Sequence, residues 1–488
     1  MVDFSNFILE HEHDDTSRLL LSKDRWPDID ISLAVNTIES RKKIRTKLPS
    51  WYACPGLIFP RKLSAEQCSS EETAMLKASI AYRLLTLAGS QESGDPEETK
   101  ESRGSKPKPL IADLTGGLGA DDWAFCKAGF SVHYNEMDPA LCEAAAANFK
   151  ALGCQDITVS NRMVTPDDTT DTILSMTGGR RPDMIFADPA RRDSAGKKVF
   201  LLEDCSPDIL QLKDMLLETS PLLMVKLSPM ADITMVRTRL GDRCREIHII
   251  ASKGECRELL AVLQRDWAGS TEYYAWEGPS DPFVFTSEEK ENAKARIYDP
   301  QTSLYHPQTR LYEPQARRLS EDRTDIMSES RLLFEPGKAL LKAGAFDLIA
   351  QREELTKLSR STHLYLIENC PTGMASFQRL LHLGKLFCIA AVYPLSKAGI
   401  REAAATYGRT DVTARNIPIT SEELKARLDK EARNRKGAGL QGKSGTSRQE
   451  ESPAASAAEG FHIFGVKCGD GRQAENMLIV AYPYNTSL

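Results

Sequence analysis

The sequence predicts an α/β chain. A Rossmann-like parallel sheet is closed by an antiparallel hairpin, preceded by a helical stretch and followed by smaller α+β parts. Three observations predict it. First, Leu110–Asp122, LIADLTGGLGADD, reads as a short buried strand, a glycine-rich turn and a helix start. Second, strand-like and helix-like patterns alternate from Leu110 to about residue 251, as in a parallel sheet with helices on both faces. Third, EIHIIAS at Glu246–Ser252 is followed by Lys253-Gly254-Glu255 and a second apolar run, Glu258–Leu263. A turn that short suits an antiparallel pair at the sheet edge.

Residues 1–88 read as a helical N-terminal domain. Leu33–Leu48 carries apolar positions interrupted by Arg41, Lys42, Lys43, Arg45 and Lys47, a cluster that is either a solvated helix face or a phosphate-contacting one. Pro49, Pro55 and Pro60 forbid a long helix until about Ser64, from which an amphipathic helix is expected to run to about Leu87. Within it, Glu66-Gln67-Cys68-Ser69-Ser70 could fold over a ligand or simply cap a helix. Gly89–Pro109 is polar, proline-containing and aperiodic, hence a linker.

In the sheet region, 110–269, strands are expected near 110–114, 130–135, 155–159, 183–188, 221–227 and 245–251. Helices are expected near 120–128, 139–152, 165–176, 206–219 and 231–239. Residues 270–325 read as a small α+β insert. A further compact unit spans 326–488, with a strand at Thr362–Ile367, a helix end at Arg427–Arg435 and a low-complexity loop at 436–460. Phe461–Val466 and Met477–Tyr482 read as a closing β pair.

Composition restricts the function classes. The chain has 488 residues, of which 41% are hydrophobic and 27% charged, enough for several apolar cores. No apolar run approaches the ~20 residues that span a bilayer. The acidic start, MVDFSNFILEHEHDD, lacks the basic and apolar parts of a signal peptide. Eleven scattered cysteines without a CxxC pair read as reduced thiols of a cytoplasmic protein, with neither a disulfide framework nor a metal site. A net charge of −6 gives no global attraction to nucleic acid.

The glycine turn is not a phosphate-binding Walker loop, because no Gly-Lys-Ser/Thr follows. It matches GxGxxG only in part, since Asp122 stands at the third glycine position. Asp113, Asp121 and Asp122 would be unwelcome to a pyrophosphate. They suit S-adenosylmethionine, which has no phosphate and carries a cationic sulfonium and amino group. Asp113, Thr115, Gly116, Gly117 and Gly119 are therefore candidates for the cofactor's amino-acid end. Glu136, at the end of the second strand, offers two acceptor oxygens for ribose hydroxyls. Asp138 is the adjacent alternative but is better placed to cap the helix from Pro139.

The fourth strand delivers DPARRD to the sheet's carboxyl edge. Asp188 is the expected catalytic carboxylate and a further cofactor neighbour. Pro189 and Arg191 complete the catalytic set, while Arg191, Arg192 and Lys226 are candidate substrate contacts. Ser228 stands where a cysteine nucleophile would be needed for ring-carbon methylation, which leaves a nitrogen or other heteroatom as the acceptor.

At these residues the chain resembles a bacterial family of S-adenosylmethionine-dependent methyltransferases with a C-terminal THUMP-like domain. The matching stretches are KLPSWY, EQCSSEETA, DLTGGLGAD, NEMDP, DPARRD, KLSPMADI, SKGECRELL and FEPGKALLKAGAF. The resemblance implies a class I methyltransferase fold, a ferredoxin-like insert at 270–325, a THUMP-like domain at 326–488 and an RNA substrate. More distantly, the core is similar to amino-methylating enzymes such as trimethylguanosine synthase. Ala190 and Arg191 replace the second proline and the base-stacking aromatic of that motif. The resulting expectation is methyl transfer to a base nitrogen of RNA. A protein or small-molecule acceptor, or a non-catalytic RNA-binding role on the same fold, are the alternatives.

Overall fold

The computed structural model describes residues 4–92, 107–190, 203, 205–279, 281–300, 332–367, 374–407, 410–438 and 460–484. Arg191 and Arg192 lie outside the described residues, as do most of the 89–109 and 436–460 segments and the stretch 301–331. The chain divides into two compact units, Met1–Ile250 with Arg257–Tyr274, and Ala251–Cys256 with Ala275–Leu488.

The first unit opens with helices α1 (Phe4–Glu10), α2 (Thr16–Leu21), α3 (Ile31–Ile44), α4 (Pro49–Tyr52), α5 (Lys62–Gln67) and α6 (Glu71–Glu92). The helix expected over 64–87 is thus two helices, broken at Cys68–Ser70. Cys68 takes an extended ψ of 162°, and the Ser70 hydroxyl accepts from Thr73 N to start α6. Nor do residues 1–88 separate from the sheet region. Trp51 is buried edge-on to Trp123, and the Ile58 backbone exchanges two hydrogen bonds of 2.8 Å with the Asn148 side chain.

The basic cluster divides: Lys42, Lys43 and Arg45 are exposed, whereas Arg41 and Lys47 brace the fold. Arg41 is buried and donates to the carbonyls of Tyr52 and Cys54, Lys43 pairs with Glu66, and Lys47 donates to the carbonyls of Ala65 and Glu66.

The sheet that follows comprises β1 (Leu110–Asp113), β2 (Ser131–Asn135), β3 (Ile157–Ser160), β4 (Met184–Ala187), β5 (Leu222–Leu227), β6 (Cys244–Ser252), β7 (Glu255–Gln264), β8 (Glu272–Glu277) and β9 (Phe283–Thr286). Its order is β3-β2-β1-β4-β5-β7-β6-β8-β9. The pairs from β3 to β5 are parallel, and β7 runs antiparallel to β5. Lys253 and Gly254 both take positive φ, 53° and 76°, as a two-residue turn between β6 and β7 requires.

The connecting helices are α7 (Ala120–Lys127), α8 (Pro139–Ala151), α9 (Thr170–Met176), α10 (Ile209–Thr219) and α11 (Ile233–Leu240). Side-chain caps set the starts of the last four. Asp138, Asp208 and Asp232 cap α8, α10 and α11, and a Thr169–Thr172 capping box delays α9 beyond the expected residue 165.

The second unit takes in β9 and the end of β8; there α12 (Ser287–Asn292) precedes an eight-stranded sheet: β10 (Arg296–Ile297), β11 (Leu332–Pro336), β12 (Thr356–Lys357), β13 (Tyr365–Ile367), β14 (Gly384–Pro394), β15 (Asp411–Arg415), β16 (His462–Cys468) and β17 (Glu475–Pro483). The order is β10-β12-β13-β11-β14-β17-β16-β15, and the expected closing pair is the antiparallel β16–β17. Two apolar cores are built on it, one around Leu333, Phe387 and Phe464, the other around Ile400, Leu424 and Val480.

One charged contact fixes α6 to the first unit's sheet. Arg83 donates to both carboxylate oxygens of Glu246, at 3.0 and 2.5 Å, and the fully buried Glu246 also meets His248 Nε2 at 3.0 Å. Burial alone would raise the Glu246 carboxyl, but the hydrogen bonds from His248 and Arg83 outweigh it and hold the pKa at about 2. A folded pKa below the unfolded one contributes stability that is present above roughly pH 4.3 and lost as pH falls toward 2. Arg83→Leu leaves this carboxylate short of a partner. It should cost about 2–3 kcal/mol in urea unfolding at pH 7, less than a wholly buried pair because Arg83 is partly exposed.

Candidate functional site

The carboxyl ends of β1, β2, β4 and β5 open onto one cleft of about 580 Å³, all of it within the first unit. Its floor is the glycine turn after β1. Gly119 takes φ +85° to start α7, and a Cβ there would sit 2.5 Å from the Phe149 ring. A Cβ on Gly116 would lie 2.1 Å from Tyr134. Only glycines let the turn lie this close to β2 and α8 while its backbone lines the cleft.

The turn is tied to both neighbouring strands. Gly116 N donates to Asn135 O (2.7 Å), Gly117 N to Glu136 Oε2 (2.9 Å), and Tyr134 OH to Gly117 O (2.7 Å). Glu136 Oε1 accepts from Asp138 N at 2.9 Å. Each Glu136 oxygen thus holds one backbone N–H and keeps a further lone pair at the cleft wall. On the other side, Thr115 links two strand ends. Its N and Oγ1 donate to Asp113 Oδ1 (2.7 and 3.2 Å), and its Oγ1 accepts from Asp188 N (2.6 Å).

Most expected site residues therefore converge. Asp113, Thr115, Gly116, Gly117, Gly119, Glu136, Asp188 and Pro189 all line the cleft. Asp138 does not. It caps α8 through Ala140 N and Leu141 N and pairs with Arg61.

Lys226 does not line the cleft either, although the sequence suggested a substrate contact. It is buried in β5 and its Nζ lies 2.6 Å from Asp188 Oδ2, 3.3 Å from Ser69 Oγ and 3.9 Å from Glu258 Oε2. Burial would lower its pKa, but Asp188, Glu258 and Asp121 outweigh that and raise it, so the lysine is charged. It holds one oxygen of Asp188. The other, Oδ1, has no partner among the described residues.

The sequence reading missed the second half of this network. Lys77, fully buried in α6, reaches Glu258 Oε1 (2.5 Å), Ser69 Oγ (3.0 Å) and Asp121 Oδ1 (3.2 Å). Ser69 Oγ donates to Asp121 Oδ2 at 2.8 Å. The break between α5 and α6 is what brings Ser69 here, and Ser64, Gln67, Cys68 and Ser69 form one wall of the cleft. Both readings open for that segment hold: Ser70 caps α6, and Gln67, Cys68 and Ser69 line the cleft. The Cys68 thiol is pushed up by burial and is a poor nucleophile. Met137, Met163 and Met230, all exposed, stand at the rim. Among the described residues no group of side chains could hold a metal ion, and no helix is long and apolar enough to cross a membrane.

The fold has a solved counterpart. A crystal structure of a candidate methyltransferase from Porphyromonas gingivalis W83 superposes over 99% of this chain and 98% of its own, with 24% identity and a TM-score of 0.69. The likeness shows the fold, a Rossmann-like class I methyltransferase fold with additional domains. A SAM-dependent methyltransferase from Agrobacterium tumefaciens covers 41% of this chain and 64% of its own, with 15% identity and a TM-score of 0.26. A ferredoxin-like domain family matches residues 332–372. That match falls inside the span read as THUMP-like, not at 270–325, where the ferredoxin-like insert was expected. No curated protein matches the chain.

Lys226→Met would leave Asp188 and Glu258 facing each other without their shared cation. We expect a loss of about 3–5 kcal/mol in unfolding free energy by urea titration at pH 7, the scale for breaking a buried ion pair.

Proposed function

We propose that the chain is an S-adenosylmethionine-dependent methyltransferase and that its acceptor is a base nitrogen of RNA. The observation that carries the cofactor is the sign of charge around the glycine turn. Asp113, Asp121, Glu136 and Asp188 line the cleft, and the nearby lysines are already paired with carboxylates. A diphosphate would be repelled, whereas a ligand with an ammonium and a sulfonium would be attracted.

The residues present fit that cofactor. The cleft volume is in the range of a small-molecule site. The spare lone pairs of Glu136 suit two ribose hydroxyls, and the close turn at Gly116–Gly119 leaves room for the amino-acid end beside Asp113. When bound, the cofactor supplies an electrophilic methyl group on a cationic sulfur. The chain's own part is alignment. Asp188, with Oδ2 held by Lys226, presents Oδ1 to accept one N–H from an acceptor amine. Thr115 keeps the Asp188 backbone in register with the turn. Pro189 and the Ala190–Ser206 bridge shape the wall beside it.

Ring-carbon chemistry has no support here. Ser228 lines the cleft where a nucleophilic thiol would be required, and the thiol that is present, Cys68, is held protonated. The RNA part rests on the resemblance to THUMP-bearing enzymes, with Arg191 and Arg192 as the proposed phosphate- or base-stacking contacts.

Titration calorimetry with S-adenosylmethionine tests the cofactor. Wild type should bind, and Glu136→Ala should bind roughly 10- to 100-fold more weakly, the loss expected for hydrogen bonds to a charged group. Absence of wild-type binding would refute the enzyme reading. Nucleoside profiling of RNA from a deletion strain tests the acceptor: one methylated base should disappear. An unchanged profile would point to a protein or small-molecule acceptor.

A further inference from the structure

Behind the cleft wall lies a carboxyl that none of the roles above uses. Asp122, in the first turn of α7, is completely buried, and neither of its oxygens has a hydrogen-bond partner of normal geometry. Its neighbour is Asp113, whose carboxyl acts on it directly; Asp113 is itself buried but at the cleft surface, and its Oδ1 is occupied by Thr115. Charge balance makes the pair unusual. The two buried lysines of the network serve the other carboxylates: Lys226 serves Asp188 and Glu258, and Lys77 serves Glu258 and Asp121. No ion pair reaches Asp113 or Asp122 among the described residues.

Two adjacent carboxylates cannot both remain ionised in such a place, because each would carry its own desolvation cost and their mutual repulsion. We propose that Asp122 is a positioning residue acting through Asp113: in the ligand-free chain the pair retains a proton between Asp122 and Asp113 Oδ2, and an ammonium group bound at Asp113 displaces it to solvent. The inference rests on the cofactor reading above and adds to it a proton that must leave when the cofactor's amino group arrives.

Burial dominates at both carboxyls, although Thr115 and the contact with Asp122 itself pull Asp113 down. Burial is the largest influence on Asp113 and lifts it to about 8, with Asp121 and Asp188 adding to the rise and the Thr115 N–H opposing it. Asp122 is raised well above the ordinary carboxylate range, by burial first and then by Asp113 and Asp121. From β2, Tyr134 is pushed up, by burial first and then by Asp122 and Glu136, so it faces the pair as a neutral phenol. Beyond α8, the Cys154 thiol is pushed up to about 12 and is likewise neutral. Lys77 of α6, Lys226 of β5 and Glu258 of β7 complete the surroundings, and the lysines are spent on their own partners.

The sign of the linkage follows. A carboxyl with a raised pKa is protonated in the free chain at neutral pH, and a cation beside it favours the ionised form. Binding must therefore release a proton, and affinity must rise with pH for as long as the ligand's amino group stays protonated. An α-amino group stays protonated below roughly pH 7.7, so pH 6–7 isolates the protein's contribution.

The test is calorimetry of the full chain with S-adenosylmethionine at pH 6.5, in buffers of different ionisation heat. Wild type should release close to one proton, and Kd should tighten up to about tenfold between pH 6 and 7, the slope of one linked proton. In Asp122→Asn the carboxamide donates to Asp113 without titrating. Proton release should then fall to a small fraction and the pH dependence should flatten. 5′-Methylthioadenosine, which lacks the amino-acid end, should bind wild type without releasing a proton, a readout that needs no variant. Binding of S-adenosylmethionine without proton release would overturn the inference and leave the cofactor reading standing. Equal release from wild type and Asp122→Asn would assign the proton to Asp113 alone and overturn the role of Asp122. No binding of S-adenosylmethionine would overturn both readings.

Discussion

The site depends on two buried lysines. Lys77 and Lys226 sit between α6 and the sheet, and their ammonium groups are shared among Asp121, Asp188 and Glu258, with Ser69 bonded to both. Desolvating an ion costs several kcal/mol, so such a cluster persists only where every charge finds opposite charge and hydrogen bonds at short range. The condition fixes six parts of the chain at once: the break before α6, α6 itself, the start of α7, the end of β4, β5 and β7. α6 and the segment before it are thereby part of the site. Their partner residues are charges that the sheet cannot leave unpaired.

Sheet topology decides what this cluster presents. In the order β2-β1-β4-β5 the chain's winding reverses between β1 and β4, which opens a crevice at their carboxyl ends. Thr115 spans that crevice with hydrogen bonds to Asp113 on one side and Asp188 on the other. β7 completes the arrangement from the antiparallel side. Lys226 pairs in register with Leu260, so Glu258, two residues along β7, lies on the same face as its diagonal neighbour. A parallel strand at that position would have needed a long crossover. The hairpin places the acid there with a two-residue turn.

These physical facts also explain what could be read in advance. Strand-end carboxylates followed by a turn, such as Asp113, Glu136 and Asp188, announce themselves because a charge at the end of an apolar run has to face an opening. The glycines of the turn are legible for a similar reason, since few other residues permit such backbone. Lys226 misled because a lysine in an apolar run suggests a ligand contact, and only the pairing of β5 with β7 reveals Glu258 beside it. Lys77 left no signal at all, because in a helical pattern a lysine is normally solvent-facing. Ser69 was half legible: the segment could be seen to precede the turn, but not that it breaks the helix. Arg191 and Arg192 lie outside the described residues, so the proposed substrate contacts rest on the sequence alone.

The cleft's acidity has two parts with different physics. Toward β5, the carboxylates are neutralised internally, so Asp188 is held by Lys226 while its spare oxygen can still accept a hydrogen bond. Toward β1, Asp113 and Asp122 have no cation among the described residues, and on the proposal above the pair shares one proton and keeps one uncompensated negative charge. The first part can orient a neutral acceptor without attracting stray cations strongly. The second has a deficit that only a ligand's positive charge removes, which makes affinity and charge recognition the same event. A phosphate-bearing ligand would meet the uncompensated charge toward β1 with the wrong sign. On this arrangement the glycine turn supplies closeness and the unbalanced carboxyl pair supplies selection, and neither would distinguish an ammonium-bearing nucleoside from other nucleosides alone.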